Sequence, residues 1–174
     1  MQFERQAKMN IRRLSSSHVA EYRRLRLRGL RESPAAFGSS YAEEVKLSRK
    51  AFVARLEQSE GKWVFGALEN RRLVGVVTMI REAKMKERHK ASIYGLYVDQ
   101  KMRGKGIGGL LLDRVIQTAR NLPKLKQIRL AVVEGNDAAL QLYAVAGFEV
   151  YGREEDALMV RGKFYSELLL ALRL

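Results

Sequence analysis

The chain has 174 residues, 47% of them hydrophobic and 30% charged, the composition of one globular domain that can bury a core without staples. It has no cysteine and only two histidines, His18 and His89, which excludes disulfides, thiolate metal sites, iron–sulfur clusters, a cysteine-bound intermediate and a local two-histidine metal motif. The formal net charge of +14 is concentrated in residues 1–33, with nine Lys or Arg against three acids, and in residues 81–105, with eight against three; an anionic partner follows, either nucleic acid or a phosphate-bearing cosubstrate.

Lys8 to Arg13 reads as a short strand. Ser15, Ser16 and Ser17 then offer cap oxygens for a helix running to about Glu32, stopped by Pro34. A second helix is expected from Ser48 to Glu57, with Phe52 and Leu56 on one face. From Trp63 the period shortens: WVFGALEN, a turn at Asn70-Arg71 and LVGVVTMI form a hairpin. Ala91 to Val98 is a further strand whose central Gly95 marks a bulge or a close backbone approach. A glycine-rich stretch, Gly104 to Gly109, leads into an amphipathic helix ending before Pro123. A buried-type strand, Gln127 to Val133, follows. Asn136 or Asp137 caps the next helix, and Gly147 stands where a left-handed C-terminal cap belongs. Phe148 to Arg153 and Phe164 to Leu172 complete a β-α-α-β-β-β-α-β-α-β-β order, a mixed α/β single domain over residues 1–174. No apolar run reaches membrane-spanning length and MQFERQAKMNIRRL has no apolar signal core, so the expected address is the cytoplasm, with no membrane partner.

The loop Arg103-Gly104-Lys105-Gly106-Ile107-Gly108-Gly109 has what a phosphate cradle needs: small residues with free φ, two cations and a helix N-terminus behind them. It satisfies G-x-G-x-x-G, but Asp99 to Arg103 separate the preceding strand from the first glycine, unlike a dinucleotide fold. Leu110-Leu111 stand where a P-loop needs Lys-Ser/Thr.

The same loop, preceded by Val98, resembles the R-x-x-G-x-G acyl-CoA signature of the GCN5-related N-acetyltransferases, the GNAT superfamily. Asn136-Asp137-Ala138-Ala139-Leu140-Gln141-Leu142-Tyr143 with Gly147-Phe148 is similar to that family's N-x-x-A-x-x-L-Y-x-x-x-G-F block. RLRLRGLRESPAAFGSSYAEE resembles the N-terminal region of a bacterial branch, so the likeness covers most of the chain. The resemblance implies a GNAT fold with a mostly antiparallel central sheet splayed at the acyl-CoA site. It implies transfer of acetyl from acetyl-CoA, with no metal, to a primary amine. The acceptor is expected to be a small molecule, with a protein as the alternative, and a homodimer through exposed C-terminal strands is compatible with it. Backbone at Leu96, Tyr97 and Val98 would hold the thioester carbonyl, and Arg103, Gly104, Lys105, Gly106, Ile107 and Gly108 the pyrophosphate. Asn136 and Tyr143 would share the groove, with Tyr143 as general acid to the leaving thiolate. Phe37 and Tyr94 would contact the acceptor.

Independently, Asn136 and Tyr143 lie seven residues apart, two helical turns, and so can face one groove. A phenol near pKa 10 can donate while staying protonated at neutral pH. Without cysteine, direct transfer in a ternary complex is favoured. No base is assigned: Ala131 stands where some members place a glutamate, and Glu134, His89, Glu82, Glu44 or a water chain remain. The competing reading is a nucleic-acid-binding module, carried by Arg24, Arg28 and Arg31 on one helical stripe; a non-catalytic acyl-CoA sensor is a third.

Overall fold

The computed structural model describes residues 9–174. Seven strands form one sheet in the order β1-β2-β3-β4-β5-β7-β6: β1 (Asn10–Arg13), β2 (Lys62–Glu69), β3 (Arg72–Arg81), β4 (Lys90–Val98), β5 (Gln127–Val133), β6 (Glu149–Val160) and β7 (Lys163–Arg173). Every neighbouring pair is antiparallel except β4 with β5. The helices are α1 (Val19–Glu32), α2 (Tyr41–Glu44), α3 (Arg49–Leu56), α4 (Ile107–Arg120) and α5 (Asp137–Val145).

The central strands are apolar on both sides because both are covered, and successive residues serve opposite cores. Trp63, Phe65 and Ala67 of β2 join α4 residues Ile107, Leu111, Leu112 and Val115 in one cluster. Val64, with Leu73 and Val76 of β3, packs with Leu25 and Leu30 of α1 and Phe52 of α3 in the other. The β2–β3 turn places Asn70 and Arg71 at φ 48° and 68°, the twist that a tight two-residue hairpin requires.

Three elements differ from the sequence reading. The expected first strand begins at Asn10; Lys8 lies outside the described residues. Helix α2 was not anticipated, although Ser40 and Glu43 form a reciprocal capping box: the Ser40 hydroxyl accepts from the Glu43 amide and the Glu43 carboxylate accepts from the Ser40 amide. Strand β6 runs to Val160 rather than stopping at Arg153. Its acidic run is absorbed by an irregularity between Glu154 and Leu158, with Asp156 at φ 50°, and the hairpin turns at Arg161 and Gly162.

Strands β4 and β5 pair only through Lys90, Ala91 and Ser92 with Gln127, Ile128 and Arg129. Beyond Ser92 they part, while β5 stays paired with β7 along its whole length. The cause lies in β4. Gly95 has φ +59°, and Gly95 and Leu96 together face the single residue Val77, a bulge that bends the strand away. The result is a mixed sheet opened at its centre, with a cleft on each face.

Candidate active site

The first cleft, about 790 Å³, lies on the α4–α5 face. Its floor is the free edge of β4 at Leu96, Tyr97 and Val98, whose backbone groups toward β5 have lost their strand partner. One wall is the loop from Arg103 to Gly109. Gly104 and Gly106 lie at φ +78° and +74°, and a Cβ built on either meets no atom within 4 Å, so the turn faces open space. Gly106 caps α4 without any side-chain oxygen, so the helix's first amides keep their hydrogen-bonding capacity. Gly108 has another purpose: a Cβ there would come within 3.2 Å of Leu142, so its absence lets α4 and α5 approach.

The loop is held from outside. Asp99, only 3% exposed, accepts from the Arg28 guanidinium and from the Lys101 amide (3.2 Å). Arg103 donates to the Val98 carbonyl (3.1 Å) and stacks over the Tyr97 ring. Lys105 turns toward the Met102 sulfur and does not line the cleft. The Tyr97 hydroxyl donates to the Glu32 carboxylate; burial, with that carboxylate beside it, pushes the phenol well above the usual range.

The opposite wall comes from α5. Asn136 caps the helix, its Oδ1 accepting from the Ala139 amide (3.3 Å), and lines the cleft with Tyr143. Tyr143 packs edge-on against Phe148 at 5.7 Å, and burial pushes its phenol up to about 12. Its hydroxyl has no hydrogen-bond partner among the described residues. Ten of the eleven residues expected around the cosubstrate are therefore brought to one cleft, Lys105 being the exception.

The second cleft, about 780 Å³, opens on the α1–α3 face and takes in Phe37 and Tyr94. Phe37 lies beneath the Arg26 guanidinium (4.7 Å) and beside Tyr97, while Tyr94 is 54% exposed. Glu44 is 2% exposed and accepts from Arg26 and Arg55, each at 2.7 Å. Burial by itself would raise its carboxyl; the two guanidinium groups outweigh that and hold it at about 2. Arg129 pairs with Glu82 (3.0 Å). Ala36 touches both clefts, which meet at the splay.

The four base candidates read from sequence do not converge. Glu44 is a fixed counter-ion. Glu82 is paired with Arg129 and accepts from the Ser92 hydroxyl. Glu134 lines the first cleft but is bound by Arg153, whose hydrogen bonds lower its carboxyl. His89 lies at the closed end of β4, its carbonyl accepting from the Lys126 and Gln127 amides. The basic stripe on α1 is likewise engaged internally: Arg24 with Glu21 and the Leu73 carbonyl, Arg28 with Asp99, and Arg31 stacked on Tyr41. The sequence reading missed Asp99, Tyr165 of the first cleft and Glu167 of the second, all placed by contacts remote in sequence.

A splayed parallel pair, an uncapped glycine turn and a tyrosine-bearing helix enclose the first cleft, and the sequence profile of the acetyltransferase (GNAT) family matches residues 26–148. The chain belongs to the GNAT family. Acetyltransferase PseH from Campylobacter jejuni subsp. jejuni serotype O:23/36 is 26% identical over 105 residues, 60% of this chain and 62% of that protein. Spermine/spermidine N(1)-acetyltransferase from Bacillus subtilis is 38% identical over 56 residues, 32% of this chain and 37% of that one. The GNAT chain thus spans less than two thirds of the length of these relatives. Among solved structures, yncA from Salmonella typhimurium with its cofactor acetyl-CoA superposes with a TM-score of 0.83 at 20% identity, over 95% of this chain and 94% of that one, which shows a shared GNAT fold. Among the described residues, no helix is long and apolar enough to cross a membrane, and no cluster of three metal-ligating side chains occurs.

Proposed function

We propose that this GNAT chain, acting as one domain over residues 1–174, is an N-acetyltransferase that moves acetyl from acetyl-CoA to the primary amine of a small molecule by direct transfer in a ternary complex. The observation that carries this reading is the splay itself. Backbone donors on β4, the open glycine turn and the Tyr143 hydroxyl line one cleft, which meets a second cleft on the far face of the sheet.

Bound acetyl-CoA would supply a thioester carbonyl reactive toward amines. The chain's residues fit it: the amides from Gly104 to Gly108 and the uncapped start of α4 suit a pyrophosphate, with dipole and donors aimed the same way. The unpaired edge of β4 around Leu96 to Val98 orients the carbonyl and stabilises the negative charge that develops on its oxygen. Tyr143 keeps its proton throughout the neutral range. That shift favours hydrogen-bond donation to the departing sulfur over full ionisation of the phenol.

The acceptor enters from the second cleft, between Phe37 and Tyr94. Its charged lining is Arg26, Arg55, Lys62 and Arg129 against Glu44 and Glu167, an excess of two cations. That favours an amine on a neutral or anionic body over a polycation. Of the cations in residues 9–33, only Arg26 lines this cleft, so the field comes from four separate elements rather than from the basic N-terminal segment. The Bacillus relative's polyamine name rests on a 56-residue match and does not transfer its acceptor. Amine-dependent thiol release from acetyl-CoA tests the proposal.

A further inference from the structure

We propose that Glu167, on β7, takes the proton from the attacking amine. This rests on the acetyl-transfer reading and supplies the group that the sequence did not reveal.

Glu167 lies where the two clefts meet. It lines the acceptor cleft, while its cross-strand partner Val133 and its neighbour Tyr165 line the cosubstrate cleft. Ala131 also lines the acceptor cleft and pairs with Leu169, two residues along β7 from Glu167. Residues on alternate positions share a face, and such diagonal neighbours are about 7–8 Å apart, within reach of a glutamate side chain. The methyl group of Ala131 leaves the space above β5 open, and a carboxylate from the next strand can fill it.

Availability separates Glu167 from every other acid considered. Glu44, Glu82 and Glu134 each accept from arginine. The Glu167 carboxylate has neither an ion pair nor a hydrogen bond among the described residues. Glu154 stands directly across from it on β6, and the other charged groups lining the acceptor cleft are Arg129 on β5, Lys62 on β2 and the Arg26–Glu44–Arg55 cluster from α1 to α3. Arg129, Arg26 and Arg55 are already paired, and the Lys62 ammonium donates to the Ala54 carbonyl. Burial, reinforced by Glu154, raises the Glu167 carboxyl above the usual range and makes it a better proton acceptor.

The step balances. The amine nitrogen forms a bond to the thioester carbon, and the carbon–sulfur bond breaks with its electron pair on sulfur. Attack leaves the nitrogen as an ammonium, whose proton passes to Glu167 and on to solvent through the open cleft, and the thiolate, held by a hydrogen bond from the Tyr143 hydroxyl, takes its proton from solvent.

The test compares wild type, Glu167→Gln and Glu167→Asp with one accepted amine from pH 5 to 9, alongside melting curves with and without acetyl-CoA. Glu167→Gln should lower kcat at pH 7 by about 10²-fold, with the acetyl-CoA melting shift unchanged and the rate climbing toward the amine's own pKa. Glu167→Asp should recover part of the loss. In the free protein, Glu167→Gln should melt higher than wild type at pH 8 and lose that advantage at pH 4.5, because a raised carboxyl pKa weakens the fold as pH rises through it. A Gln variant within threefold of wild type, with the same pH profile, overturns the assignment and leaves acetyl transfer standing. A wild-type protein whose melting does not respond to acetyl-CoA overturns acetyl transfer and the assignment with it.

Discussion

Tyr143 is placed to serve both packing and, in the proposed reaction, chemistry. Its ring is fixed by Phe148 and by burial, and its hydroxyl is left to the cleft. Replacing it with Phe removes one donor and little contact area. Tyr143→Phe should keep acetyl-CoA affinity within about twofold while lowering turnover roughly 10²-fold, the lower end of general-acid effects, since the raised pKa limits full proton delivery. Steady-state kinetics beside a binding titration checks this; turnover within threefold of wild type would leave Tyr143 a packing residue. The asparagine, the tyrosine and the glycines were readable because their spacing is local: seven residues fix two helical turns whatever surrounds them. Glu167 was not readable. Its place opposite Val133 depends on register between strands more than thirty residues apart, and nothing near it in sequence marks it.

Between elements, the glycine turn and the arginine cluster do different work. Gly104 and Gly106, carrying no Cβ, take the turn's left-handed geometry without steric cost. Acetyl-CoA at one hundred times its dissociation constant should stabilise the fold by about 2.7 kcal/mol, a melting increase of roughly 5–10 °C for a domain of this size. Gly106→Val should abolish that increase, since its side chain enters open cleft space at φ +74°; a normal shift in a folded variant would mean the loop does not hold the cosubstrate. The cluster ties α1, α2 and α3 through Glu44. Its carboxyl is depressed to about 2, so the stability it contributes is complete above the ordinary glutamate pKa and is lost as pH falls toward 2. Glu44→Gln should cost about 3–5 kcal/mol at pH 7, because it leaves two guanidinium groups poorly matched beside a buried site. The loss should shrink at pH 3 in denaturant melts; an unchanged midpoint at pH 7 would show the pairs to be dispensable. Sequence periodicity found α1 and α3 but passed over α2, whose four residues are too short to show a period and whose signal was the Ser40–Glu43 box.

For the chain taken together, charge and topology give complementary information. The +14 total pointed to an anionic partner, but fold-level pairing consumes the α1 stripe and leaves a modest cationic excess at the acceptor cleft. The order of elements was recoverable because each carries its own period and punctuation. The opening between β4 and β5 was inferable only through family resemblance, since composition says nothing of where two strands stop pairing. In the proposed reaction, that opening joins cosubstrate to acceptor. The decisive measurement is thiol release from acetyl-CoA by wild-type protein across a panel of spermidine, amino acids and amino-sugar phosphates at low and high salt, with N-acetyl product measured in parallel. Thiol should appear in equal amount to N-acetyl product, only when a primary amine is present, with a higher specificity constant for acceptors bearing an anionic group and a preference that narrows as salt rises. Thiol release that no amine accelerates, in a protein that acetyl-CoA still stabilises, would contradict it and leave a binding protein in place of an enzyme.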